Sequence, residues 1–154
     1  MSMSSETRSR TEEEIRVLTT QLSELQEAIN AVQARLAALT SELEEVRLAI
    51  ETISNVDKFK QCEVLVALDR KGYAYIRAQL QSLDKVLVHV GQNLYVVVPI
   101  DKAKSILAER ERELSNAIQE TEVELRKLME VYTQLQKRLQ SHIAAMRSQQ
   151  GVST

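Results

Sequence analysis

From Ile15 to Ile53 the apolar residues fall at Ile15, Leu18, Leu22, Leu25, Ile29, Val32, Leu36, Leu39, Leu43, Val46, Ile50 and Ile53. The steps alternate three and four without an error. That is the 3.5-residue repeat of a coiled-coil seam, with Ile15, Leu22, Ile29, Leu36, Leu43 and Ile50 at a and the rest at d. A strip this narrow is hidden by a second rod, not by a wide globular core. Neither Gly nor Pro interrupts residues 11–56, which predicts a helix about 70 Å long at ~1.5 Å per residue. Its start is predicted at Thr11, because Glu14 stands three residues on in capping-box spacing. Glu12, Glu13 and Glu14 also suit the positive end of the helix dipole. The polar stretch 1–10 is read as a frayed, disordered tail.

A second stripe runs through Leu107, Glu111, Leu114, Ile118, Thr121, Leu125, Leu128, Tyr132, Leu135, Leu139, His142 and Met146. The steps are again four and three, with Glu111, Thr121 and His142 as polar intrusions. A helix is predicted over 101–148, with Asp101 at its N-cap, Gly151 closing it and 149–154 as a tail. Two helices of near-equal length predict an antiparallel pair, Ile53 and Leu107 at one end, Ile15 and Met146 at the other. The composition fits a thin, linear core: aromatics are 3%, with no Trp, three Gly and one Pro.

Between the helices stand CEVLVAL, YAYIRAQL, KVLVHV and LYVVVP, four strand runs at 62–68, 73–80, 85–90 and 94–98. β-branched and aromatic residues favour a pleated backbone, and DRKG, QSLD and GQN supply the turns between. Pro99 lacks an N–H and ends the last run. Ser54-Asn55-Val56-Asp57-Lys58 reads as the hinge into this block, because its polar side chains compete for backbone hydrogen bonds. Val64, Val66 and Leu68 share one face of the first run, Leu65 and Ala67 the other. Apolar residues on both faces predict burial from two sides, in a small barrel or under a partner. The fold class is mainly α with a small β element: a long antiparallel two-helix coiled coil joined by two β-hairpins at 60–99.

This layout, and the stretch CEVLVALDRKGYAYIRAQLQSLDKVLVHVGQNLYVVVPIDKAKSIL, resemble the α-class subunit of prefoldin over about Thr11 to Met146. Two hairpins between the helices is the family's α-class feature, against one in β-class subunits. The DRKG turn departs from the family by carrying two positive charges where similar subunits often have small residues. The resemblance implies a hetero-hexamer of two α-class and four β-class subunits on a double β-barrel platform. It further implies six coiled-coil arms whose tips hold unfolded proteins without ATP and pass them to a group II chaperonin. Val64, Val66, Leu68, Ile76, Val86, Val88, Val90, Val96 and Val98 would be the oligomerisation strands' apolar residues. The client-binding candidates are Ile15, Val17, Leu18, Leu22, Leu139, Ile143 and Met146. Val17 and Ile143 extend the apolar surface past a and d, and flexible Met suits clients of no fixed sequence.

Catalysis finds no foothold, since there is no GxxxxGK, GxGxxG or HExxH. His89 and His142 lie in different elements, and with one Cys they do not make a metal site; no cofactor and no metal are expected. Net charge is −2 with both signs interspersed, so neither nucleic acid nor anionic lipid is an expected partner. No run approaches the ~18 apolar residues of a membrane span, and the N-terminal stretch has no signal-peptide core. A single Cys fits a reducing compartment, and the expected location is cytoplasmic. His89 is read as a partly exposed strand residue, and His142 as a tolerated polar seam residue, with a pH-sensitive tip as the alternative. Cys62 is read as a small structural residue. Arg70 and Lys71 are read as a solvated turn, pairing with an acidic partner being the alternative. Ala28, Ala31, Ala34, Ala37 and Ala38 are read as helix formers. The rival function is a structural coiled-coil tether without chaperone activity.

Overall fold

A computed structural model describes residues 2–81 and 84–151. Its elements are α1 (Ser2–Ser54), a one-turn 3-10 helix (Val56–Phe59), β1 (Glu63–Ala67), β2 (Tyr75–Gln79), β3 (Lys85–Gly91), β4 (Leu94–Pro99) and α2 (Ile100–Gly151). The helices are 53 and 52 residues long. Every a and d position from Ile15 to Ile53 is buried or half-buried, and so is every stripe position from Leu107 to Met146. The polar intrusions are each answered. Thr121, 5% exposed, donates its hydroxyl to the Ala117 carbonyl at 2.7 Å. Glu111 accepts from Arg47 Nε at 2.7 Å, and His142 Nδ1 lies 3.3 Å from Glu14 Oε2.

The chain divides into two compact units, Met1–Ala38 with Ala117–Thr154, and Leu39–Asn116. Within the first, the Arg35–Glu124 and His142–Glu14 pairs run the helix segments antiparallel. Within the second, Arg47 pairs with Glu111 across the two helix segments, and Arg110 Nη2 donates to Glu42 Oε1 at 2.5 Å. The hydrogen bond it donates to Glu42 holds the Arg110 guanidinium above its ordinary pKa against a partial desolvation, with Glu113 adding to the effect. These side chains are mostly half exposed, so each pair adds ~0–1 kcal/mol and fixes register more than stability.

Both helices outrun the predicted ends. The first begins at Ser2, not Thr11, so the stretch expected as a frayed tail is helical from residue 2. Thr11 does not cap: its hydroxyl donates to the Thr7 carbonyl at 3.0 Å, inside the helix. Nothing in Ser5–Arg10 breaks a helix, and the Arg8–Glu12 pair at 3.4 Å supports it across one turn. The second begins at Ile100 with Asp101 inside its first turn and continues through Gly151. It starts directly after Pro99, which pairs with Lys85 as the last residue of β4. Met1, Ser82, Leu83 and 152–154, including parts of the expected tails, lie outside the described residues.

The four strands form two separate two-stranded sheets, β1–β2 and β3–β4, both antiparallel. Glu63 pairs with Gln79 and Ala67 with Tyr75 in the first; Lys85 pairs with Pro99 and His89 with Tyr95 in the second. Gln92 and Asn93 turn β3 into β4 with φ of 48° and 59°, the left-handed pair of a two-residue type I′ hairpin loop. A bulge lies between His89 and Gly91, with Gly91 at φ 111°. It takes Val90 out of the pairing that Val86 and Val88 keep.

Candidate functional site

Two surfaces carry the residues that the sequence singles out, one on the hairpins and one at the helix ends. On the hairpins, the β1–β2 turn is built around Asp69. Its Oδ1 accepts from the Lys71 N–H at 2.8 Å, and its Oδ2 from the Tyr73 and Ala74 N–H groups at 2.9 and 3.1 Å. The Tyr73 amide is the chief reason that this carboxyl sits below its ordinary pKa, with slight desolvation opposing it and the Lys71, Ala74 and Gly72 amides helping. Gly72 takes φ 71°, and a Cβ there would stand 2.4 Å from Tyr75 Oη. The turn therefore fixes its own shape while Arg70, Lys71 and Tyr73 face solvent.

The strand faces are unequal. On β3–β4, Val88 is 4% exposed and Val86 and Val98 are half-buried, while Leu87 and Val97 on the other face are largely exposed. A groove of about 720 Å³ runs beside Val88, lined also by Val46, Ala49, Ile53 and Leu107 from the helices. No described residue of β1 or β2 is buried: Val64 and Ala78 are half-buried, and Leu65 is 66% exposed. Of the nine strand candidates, the structure buries Val88 and half-buries Val64, Val86 and Val98. Val66, Leu68, Ile76, Val90 and Val96 stand exposed. Leu65, Tyr75, Leu87 and Val97 are equally bare; alternation marks them as the second apolar face, while Leu94, also exposed, shares the face of Val96 and Val98.

At the helix ends, Leu18 and Leu22 are buried in the seam, and Ile15, Leu139 and Met146 half-buried along it. Ile143 is half-buried beside it, and Val17 points out at 47% exposure. The stripe reading passed over Val123, Met129 and Val131, exposed apolar residues of α2; their signal is an apolar side chain off the a and d positions. His89 is exposed and stacks on Tyr95 with ring centroids 5.0 Å apart at 47°. Cys62 is exposed, its thiol 3.7 Å from the Lys58 carbonyl. Among the described residues no cluster of His, Cys, Asp or Glu could hold a metal ion, and no helix is long and apolar enough to cross a membrane.

A family model described as prefoldin subunit matches residues 25–145, which takes in the seam from Leu25 onward, both hairpins and most of α2. The chain belongs to the prefoldin family. Among its relatives, a prefoldin subunit alpha from Saccharolobus islandicus is 36% identical over 126 residues, covering 81% of this chain and 83% of that protein. A prefoldin subunit alpha from Hyperthermus butylicus is 28% identical over 133 residues, covering 86% and 81%. A chain of filamentous PFD from Methanocaldococcus jannaschii, solved by cryo-EM, aligns with a TM-score of 0.49 at 21% identity, covering 82% of this chain and 98% of that chain. The likeness is thus to the α class of prefoldin chaperone subunits, in keeping with two hairpins between the helices.

Proposed function

We propose that this prefoldin subunit is part of an ATP-independent holdase that assembles through its hairpins with β-class subunits, two α to four β. In this reading the helix ends grip unfolded polypeptides in the cytoplasm and pass them to a group II chaperonin. The observation that carries the assembly is the two-sided apolar surface of both hairpins, with Leu65 and Val97 each 66% exposed in the single chain. Apolar area of this kind is worth ~25 cal/mol per Å² once a partner covers it, and neighbouring subunits are the covering that leaves the chain in solution. The client grip draws support from Val17 and Ile143, apolar residues beyond the strict seam of α1 and α2. Each contact is weak, and several subunits holding one client add through effective concentration.

Two truncations and one charge test the reading. Removing residues 1–22 and 139–154 leaves hexamer assembly with a β-class subunit intact and abolishes suppression of client aggregation. Val96→Asp places a charge on a strand face and blocks assembly, seen by size-exclusion chromatography. A truncated complex that protects clients as well as the full one overturns the helix-end assignment. A chain that stays alone when mixed with β-class subunits, and protects nothing, is the tether.

A further inference from the structure

The two hairpins differ in what holds them. β3–β4 is tied to α2 without a linker, since β4 ends at Pro99 and α2 begins at Ile100. The Ile100 N–H donates to the Asp84 carbonyl at 3.3 Å, bracing the start of β3 against the start of α2. Its Val88 is buried beside the groove that Val46, Ile53 and Leu107 also line. β1–β2 has none of this. It has five paired positions, no buried residue, and the Asp69 turn at one end. Its entry passes through Gln61 at φ 63°, a left-handed conformation for a non-glycine residue. A two-stranded hairpin with neither face packed is marginal in water, whereas one seated on a helix pair shares that pair's stability.

We infer that β1–β2 is an assembly-formed element: the lone subunit carries β3–β4 ready-made, and β1–β2 closes fully only when the apolar hairpin of a neighbouring subunit covers it. The inference rests on the assembly reading for what does the covering, but not for the state of the lone chain. Val66, Leu68 and Ile76 are then the residues whose burial drives folding and association together, and Asp69 shortens the search by pre-shaping the turn. Coupling of this kind lowers affinity per unit of area while making association depend on a compatible neighbour.

The test is amide hydrogen exchange on the full-length chain, diluted until light scattering reports a single 17.5 kDa copy. The ladder-bonded amides of Glu63–Ala67 and Tyr75–Gln79 exchange at least 100-fold faster than those of Lys85–Gly91 and 94–98. Asp69→Ala speeds the first pair of strands further and leaves the second unchanged, which separates a loosened hairpin from a misfolded chain. Adding a β-class prefoldin subunit brings the β1–β2 amides down to the rate of β3–β4. Equal protection of both hairpins in the single copy overturns the inference even where assembly proceeds. If the mixture does not assemble, the proposed function fails, while equal or unequal protection in the single copy still decides whether β1–β2 is the loose element.

Discussion

Val17 and Leu18 are neighbours with opposite environments, and substituting each separates packing from client capture. Leu18 is 4% exposed in the seam and Val17 is 47% exposed beside it. Leu18→Ala removes three buried carbons, about 2.4 kcal/mol of transfer free energy at ~0.8 per carbon, with a further cavity contribution that brings such changes to ~2–5 kcal/mol. A seam one layer deep closes part of that cavity, so the lower half of the range, ~2–3 kcal/mol, is expected. Val17→Ser removes side-chain surface that is already half in water and falls within about 0.5 kcal/mol. In urea, with a slope of ~2 kcal/mol per M, the Leu18→Ala midpoint drops by about 1 M or more and the Val17→Ser midpoint by less than ~0.3 M. Circular dichroism at the helical band reads both. Light scattering of a heat-denatured client, with each variant assembled with β-class subunits, reads capture. Val17→Ser weakens protection at nearly unchanged stability, and Leu18→Ala weakens both. Protection by Val17→Ser equal to the parent at every client ratio refutes the placing of client contacts outside the seam. An unmoved midpoint in Leu18→Ala refutes the packing argument itself.

Two further outcomes follow from single groups. The Asp69 carboxyl has a folded pKa lowered by the amides of its turn, so its contribution is present above the unfolded value of ~3.9 and is lost as pH falls through the folded value; the β1–β2 turn loosens in acid below pH ~4, followed by the Tyr73 ring resonances, and Asp69→Ala shows no such acid step. Thr121→Val trades a hydroxyl bonded to its own helix for a methyl on the seam, two changes of ~1 kcal/mol that oppose each other, so the urea midpoint stays within about 0.5 M of the parent.

The seam was legible because a 3.5 period is local information: the positions from Ile15 to Ile53 and from Leu107 to Met146 follow from spacing alone. The helix start was not, because Thr11 and Glu14 match a capping box equally well inside a helix that nothing upstream stops. Hairpin turns were readable from DRKG and GQN, but the bulge at Val90 was not, since Gly91 reads as turn and sits in β3 instead. That the strands form two sheets and not one depends on long-range placement that no run of residues encodes. The client candidates show the same limit. Five of them, Ile15, Leu18, Leu22, Leu139 and Met146, are seam residues, and their spacing says that they pack without saying what else they touch.

The two helices contribute unequally to choosing a mate. Every a and d residue of α1 from Ile15 to Ile53 is aliphatic, a strip that would accept any similar strip in any alignment. On α2, Glu111 meets Arg47 and His142 meets Glu14 from the facing helix segment, and each meeting is lost if its own segment slips in register. Cut loose as a peptide, α1 would self-associate in shifting registers, whereas α2 would bury its own glutamate and histidine unanswered and stay largely single. Selectivity for the hairpin-linked match is therefore written into one rod, and the other supplies adhesion.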